Sequence, residues 1–231
     1  MNIIDVEQGS PEWLACRAGI PTASELDNLV SNTGVIRQGA MPNSYLCVKL
    51  AERWLGGPMQ SFGGGVMEQG TILEAEARPW YEFAHNVTVR TVGFITRDGG
   101  DIGCSPDGLI LDAAGGIVGG LEIKCPQPPN HVKWLLAGVV PPDHLFQCLG
   151  GMLVTGLPWT FVSYCRGFPA LVVEVRADPD LLATIRDAIN EFTGRMDVAW
   201  GRLVTLNGGP PSRPERPASS TASELSDSHP F

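Results

Sequence analysis

The sequence predicts an α/β protein, and three observations carry that prediction. Segments with the helical spacing of apolar residues are interleaved with short segments in which apolar and polar residues alternate. Between positions 103 and 125 a Pro/Gly turn (Gly103-Cys104-Ser105-Pro106-Asp107-Gly108), a hairpin around the glycines at 115 and 116, and a strand (Leu121-Glu122-Ile123-Lys124-Cys125) follow one another. The chain has 231 residues, the size of a single domain with a substantial buried core.

The elements follow in order. Residues 1 to about 30 hold a short leading segment and a helix over 23–30, with Thr22 as its cap. A second helix is expected over 43–55, where Leu46, Leu50 and Trp54 share one face and Gly56-Gly57 close the end. The glycines at 63–65 read as a flexible connection, and a helix over 66–84 contains Pro79, which should kink it or begin a new turn. A strand over 87–96 leads into the hairpin. Beyond lie a helix over 143–154, strands over 160–165 and 171–175, and a last long helix to 200 opened by Ala177-Asp178-Pro179. From 207 onward Pro, Ser, Thr and Glu dominate and apolar periodicity ends. The expected division is therefore a domain over 1–206 and a disordered tail over 207–231.

Composition narrows the function classes. Met1-Asn2-Ile3-Ile4-Asp5 lacks a basic region followed by a cleavable apolar segment, and no apolar run reaches the roughly 20 residues that span a bilayer. The cysteines at 16, 47, 104, 125, 148 and 165 form no CxxC pair and read as reduced thiols of a cytosolic protein. The net charge of −9 is unusual for a chain that would bind nucleic acid, since non-specific affinity comes from Lys and Arg on phosphates. Basic residues gathered in one groove under an acidic exterior would reconcile the two.

The chemistry is concentrated in 103–125. Strand alternation turns Glu122 and Lys124 to one face and Leu121 and Ile123 to the other. A turn centred between Ala114 and Gly115 sets Asp107 opposite Glu122, so two carboxylates and an ammonium converge at one end of the hairpin. Mg²⁺ suits such a set, because it takes carboxylate and carbonyl oxygens and keeps several waters. It acidifies a bound water and neutralises charge on a phosphodiester, and a neighbouring lysine steadies the nucleophile or the developing charge. Asp, a variable gap and Glu-x-Lys recur in nucleases of the restriction-endonuclease-like class. The same spacing also fits an edge hairpin with an ordinary turn Asp and a cross-strand ion pair.

Further blocks resolve the choice. Val6-Glu7-Gln8 through Trp13, Arg17 and Thr22-Ala23-Ser24, then Gly70-Thr71 through Glu74 and Ala77-Arg78, precede the two blocks of the hairpin, and Leu145-Phe146-Gln147 follows. In this order they resemble the phage lambda-type exonucleases, the alkaline exonuclease and YqaJ-like viral recombinase family, from about Asp5 to Trp200. The resemblance implies a restriction-endonuclease-like core, a central mixed sheet flanked by helices. It implies that Asp107, Glu122 and the carbonyl of Ile123 hold a metal, that Glu74 serves a second metal directly or through water, and that Lys124 positions the nucleophile. Gln147 corresponds to a helix glutamine near the nucleophilic water. Arg17, Ser24 and Ser105 correspond to a pocket for a 5′-terminal phosphate, where a guanidinium fork and hydroxyl donors suit the oxygens.

Read singly, several of these residues have plainer roles. Glu74 pairs with Arg78 at i+4, Ser24 caps a helix, Arg17 makes a surface ion pair and Gln147 is a surface residue. Trp13 and Trp134 could stack on bases or be buried, and His144 is assigned no role. No arginine aligns with the family's minor-groove arginine, although Arg37 lies near. The expected activity is Mg²⁺-dependent degradation of one strand of duplex DNA, 5′→3′ from a phosphorylated end, with two ions and Mn²⁺ as a substitute. The 3′ overhang would serve recombination by strand annealing. By resemblance the partners are double-stranded DNA ends, a single-strand annealing protein and two further copies in a homotrimeric ring, with no membrane. The setting is the cytoplasm of a bacterial host, with a phage or prophage origin. The alternatives are an endonuclease of the same fold, directed to structures or single strands, and a non-catalytic DNA-end or protein-binding module. Only Cys165 lies beyond the catalytic region, which sets aside the related iron–sulfur nucleases.

Overall fold

The computed structural model describes residues 1–59, 66–209 and 220–221. In chain order its elements begin with β1 (Asn2–Ile4), α1 (Pro11–Arg17), a 3₁₀ helix (Ala23–Asn28), α2 (Ala40–Leu55) and α3 (Val66–His85). The strands β2 (Thr88–Arg90), β3 (Phe94–Thr96), β4 (Gly103–Cys104), β5 (Gly108–Leu111) and β6 (Ile117–Lys124) follow. The helices α4 (Pro128–Ala137) and α5 (Pro142–Thr155), the strands β7 (Trp159–Ser163) and β8 (Leu171–Glu174), α6 (Pro179–Asn207) and β9 (Ser220–Thr221) complete it.

The larger sheet has the order β2-β5-β6-β7-β8 and is mixed, because β6 and β7 run parallel while every other pair is antiparallel. A parallel pair needs a crossover rather than a hairpin, and α4 with α5 provides it. The smaller sheet, β4-β3-β1-β9, is antiparallel throughout. The expected mixed sheet flanked by helices is therefore present.

Packing follows strand alternation. Leu121 and Ile123 of β6 are buried with Ala77 and Tyr81 of α3. On the other face lies the main core, where Phe146 and Leu149 of α5, Phe161 of β7 and Ile185, Ile189 and Phe192 of α6 meet. Trp159 packs between Gly120 and Gly151, where an added Cβ would fall 2.4 Å and 2.1 Å from the indole, so only glycine leaves room for it.

Several expectations are corrected. The strand over 87–96 is two strands in different sheets: β2 joins the larger and β3 the smaller. The chain changes sheet at Gly93, where a Cβ would lie 2.1 Å from the carbonyl oxygen of Val6. The helix over 23–30 is a short 3₁₀ helix, and the Thr22 hydroxyl donates to Glu25 Oε2 at 2.8 Å instead of capping the backbone. Sequence patterning missed β1, α1, β4 and α4. The signals for two of them were present, since Ser10-Pro11 opens α1 and Pro128-Pro129 with Gly138 brackets α4. α6 continues past Trp200 to Asn207. Of the tail expected to be disordered, Ser220 and Thr221 pair with Ile3 and Asn2, and most of the remainder lies outside the described residues, as do the glycines at 63–65. No helix among the described residues is long and apolar enough to cross a membrane.

His144 lies between layers, stacked on Phe161 at 5.9 Å and edge-on to Trp134 at 5.3 Å. Burial, with Lys124 nearby, lowers its pKa from 6.5 to about 4 against the opposing pull of Asp143. A depressed pKa means that the unfolded chain takes up the proton first. The stability this residue contributes is thus full above pH 6.5 and is lost as pH falls towards 4. Thermal unfolding followed across that window should show a falling midpoint in the wild type and a flatter profile in His144→Phe.

Candidate active site

The hairpin β5–β6 assembles the site. From Gly108↔Leu121 to Ile110↔Gly119 its register is the one that places Asp107 opposite Glu122. A bulge between Ile110 and Leu111 absorbs a one-residue shift near the turn, where Asp112 Oδ1 accepts from the backbone N–H groups of Ala114 and Gly116. At the other end, the Asp107 N–H donates to the Leu121 carbonyl at 3.0 Å, and Asp107 Oδ2 accepts from the Ile123 N–H at 2.6 Å. The Tyr164 N–H donates to the Lys124 carbonyl. Backbone groups alternate sides along a strand, so Ile123 presents its carbonyl to the Asp107 side, where β5 has ended.

Glu122 is 1% exposed, and Lys124 Nζ donates to its Oε1 at 2.5 Å. Burial pushes the Glu122 carboxyl up to about 8, assisted by Asp107 and Glu74 and opposed by Lys124. Burial also raises Asp107, against the opposing pull of Lys124, the Ile123 N–H and Arg78. For Lys124 burial works against the charge, but Glu122, Asp107 and Glu74 outweigh it and raise its pKa, so the side chain is an ammonium. Glu74 of α3 shares a cleft of about 560 Å³ with Arg78 and Asp107, and is raised by burial and by Asp107. Arg78 Nε donates to the Asp107 carbonyl at 3.0 Å, so it grips the loop of Asp107 rather than forming an i+4 ion pair with Glu74.

The residues matched to a phosphate pocket meet as well. Arg17, Ser24, Ser105, Glu122 and Gln147 line one small cavity together with Cys104 and Trp159. Arg17 Nη1 donates to Ser105 Oγ at 2.9 Å while the guanidinium lies over the Trp13 ring, 4.3 Å from its centroid. Trp13 Nε1 donates to the same Ser105 oxygen at 3.0 Å. Two donors fill the acceptor positions of that hydroxyl and leave its own O–H as the group it offers outward. Ser24 is exposed at the mouth, 3.1 Å from Thr22 Oγ1. Trp13 is thus a support for the pocket, and Trp134 packs in the core against His144 and Phe161. Arg37 lines an adjoining cleft with Ser24 and Gln147, and its Nε donates to the Asp27 carbonyl at 2.6 Å.

Two sets of residues escaped sequence reasoning. Gln8 Nε2 donates to the carbonyls of Val92 and Pro106, both at 2.9 Å, and so clamps the residue before Asp107; its place beside Trp13 and Arg17 was the available signal. The buried charges Lys49 and Glu52 of α2 form a network with Glu25 behind Arg17. Their sequence signal was weak, because Lys and Glu three apart on a helix ordinarily face solvent.

Two carboxylates, a strand carbonyl and an ammonium gathered at one end of the hairpin suit a hard divalent cation that retains waters. Among the described residues no three His, Cys, Asp or Glu side chains close a shell by themselves. Glu74 lines the approach to Asp107 and is not joined to it.

Comparison with known proteins agrees with this geometry. The YqaJ-like viral recombinase domain matches residues 12–158, more than half of the chain, and the chain belongs to that family. It is similar to the structure of an alkaline exonuclease (LHK-Exo) from Laribacter hongkongensis, with 27% identity and a TM-score of 0.72, covering 86% of this chain and 98% of that one. The same enzyme in complex with dAMP gives 27% identity and a TM-score of 0.73 over the same shares. A phage-related exonuclease from Haemophilus somnus 129PT shares the fold at 13% identity and a TM-score of 0.57, over 80% of this chain and 96% of that one. No curated protein matches the chain. Fold, site and family together define an enzyme, a hydrolase of the exonuclease class.

The raised carboxyl has a consequence for stability. In metal-free protein Glu122 retains its proton where the unfolded chain has lost it, so stability falls as pH rises from 4.5 towards about 8. Calorimetry in chelator should show this slope across the window. Glu122→Gln should remove most of it, and Mg²⁺ should raise the wild-type midpoint at pH 8 but not that of the variant.

Proposed function

We propose that this protein is a Mg²⁺-dependent exonuclease that degrades one strand of duplex DNA from a 5′-phosphorylated end. One observation carries the reading: Ser105, held by Arg17, and Asp107 lie on one loop, and Arg17, Ser105, Glu122 and Gln147 line one cavity. A phosphate held by Arg17 and Ser105 leaves the next phosphodiester to reach the Asp107–Glu122 end of the hairpin. The complex of the Laribacter enzyme with dAMP supports a site for a nucleoside monophosphate.

Asp107, Glu122 and the Ile123 carbonyl would hold the metal, with Glu74 reaching a second ion directly or through water. When bound, Mg²⁺ supplies an acidified water and charge neutralisation at the phosphodiester. Asp107 is oriented for this by the Ile123 N–H, which occupies Oδ2. Lys124, whose Nζ lies on Glu122 Oε1, would donate hydrogen bonds to the nucleophilic water and the scissile oxygens. As an ammonium it would steady the developing charge. Gln147 lines the far side of the cavity from α5 and orients the water.

Direction of degradation follows from the phosphate pocket, and the product is a duplex with a 3′ overhang, the substrate of strand annealing. The viral recombinase designation of the family supports that role, with an annealing protein as partner. A homotrimeric ring with a basic inner channel accommodates the net charge of −9.

A linear duplex labelled on one strand, bearing either a 5′-phosphate or a 5′-hydroxyl, tests the proposal in the presence of Mg²⁺. Mononucleotides should be released from the phosphorylated end. Lys124→Ala should lose about 10²–10⁴ in rate on both ends. Arg17→Ala should lose about ten- to a hundredfold of the preference for phosphate. Internal fragments, or cleavage of closed circles, would instead mark an endonuclease.

A further inference from the structure

The pocket of Arg17 and Ser105 stands in front of a partly buried cluster of charge. Glu25 Oε2 accepts from the Thr22 hydroxyl at 2.8 Å, the Tyr45 hydroxyl at 3.0 Å and Lys49 Nζ at 2.9 Å. Glu52 Oε2 accepts from Lys49 Nζ at 3.0 Å and from the Gly19 N–H at 3.1 Å. Each carboxylate shapes one half of the pocket. Glu52 holds the turn that follows Arg17, at a glycine with φ +72° packed against the backbone of Arg53. Glu25, through Thr22, holds the segment that carries Ser24. Burial favours the neutral form of Glu25, but Lys49, Thr22 and Tyr45 outweigh it and lower its pKa, so it is a carboxylate.

This arrangement poses an electrostatic difficulty for an anionic ligand. Both Glu25 and Glu52 act on Arg17, and with only the guanidinium in front of them the pocket would carry a net negative charge. Lys49 is 4% exposed and reaches from α2 to both carboxylates, which makes the set of Arg17, Lys49, Glu25 and Glu52 neutral overall. We infer that Lys49 is a specificity-determining counter-charge: it cancels the field of Glu25 and Glu52, so that Arg17 and Ser105 accept a 5′-terminal phosphate dianion. The inference rests on the 5′-phosphate reading proposed above. Lys49 touches no substrate; it acts through the potential at Arg17, which in a partly buried site falls off slowly with distance.

The test is the ratio of cleavage rates on duplexes with a 5′-phosphate and a 5′-hydroxyl, measured at subsaturating DNA with thermal unfolding of each variant alongside. Lys49→Met should lower the ratio about tenfold, through a higher KM on phosphorylated ends. Lys49→Arg should keep it. The double variant Lys49→Met/Glu52→Gln restores neutrality and should recover most of the ratio. Glu52→Gln alone leaves a positive surplus and should raise the ratio above wild type, which keeps the test open if Lys49→Met does not fold. A proportional loss on both ends in Lys49→Met, or no rise in Glu52→Gln, would overturn the counter-charge role. Absence of any phosphate preference in the wild type would instead overturn the underlying reading.

Discussion

Asp107 engages β6 twice, through its N–H on the Leu121 carbonyl and through Oδ2 on the Ile123 N–H, and the site is organised around that pair of bonds. The carboxylate takes the place that the backbone of β5 would have filled had the strand begun one residue earlier. It thereby ends one strand while remaining tied to the other. Glu122 lies between the two points of attachment and points to the opposite face from Leu121 and Ile123, which are locked into the core beneath α3. Slipping this register by one residue would turn Leu121 and Ile123 away from α3 and set Glu122 there among apolar side chains, apart from Asp107. The same hydrophobic pattern that stabilises the sheet therefore keeps the carboxylates together.

A loop carrying such a residue needs its other polar groups held as well. Gln8 takes the carbonyl of Pro106, Arg78 that of Asp107, and Trp13 and Arg17 the hydroxyl of Ser105. Three of these four side chains come from the first turns of the chain, far from the hairpin in sequence. The N-terminal segment thus fastens Ser105 and Asp107, two residues apart on one loop, to the rest of the fold. A shift at Ser105 is transmitted to Asp107 through Pro106, a residue with little backbone freedom.

Charge is handled locally rather than by the net balance. The protein carries −9, yet the two charge clusters near the site contain their own cations. Lys124 sits on Glu122, and Lys49 on Glu25 and Glu52. Buried ion pairs of this kind contribute little net stability, because desolvation offsets their attraction. What they secure is orientation, and around Lys124 the close approach of two carboxyl groups whose pKa values burial raises. Stability sacrificed there is made good by the continuous core of α5, α6 and the larger sheet.

The sequence by itself determined the α/β class, the hairpin register and the order of the site residues, because each rests on short-range rules. Alternation along β6 and a glycine turn suffice to set Asp107 against Glu122. Glu-x-Lys spacing and the blocks around Arg17, Ser24 and Ser105 were likewise legible as strings. Tertiary structure alone decided the division of 87–96 between two sheets, since only the passage of Val6 over Gly93 forces it. It also decided the roles of Gln8 and Arg78, whose partners are backbone carbonyls that no side-chain pattern reveals. Lys49 is the sharpest case. On a helix it reads as a solvated charge, and it becomes a buried link between Glu25 and Glu52 only because α2 packs behind the 3₁₀ helix and the turn at Gly19. Burial is a property of the assembled chain, and it turns an ordinary surface pattern into the electrostatics of a pocket.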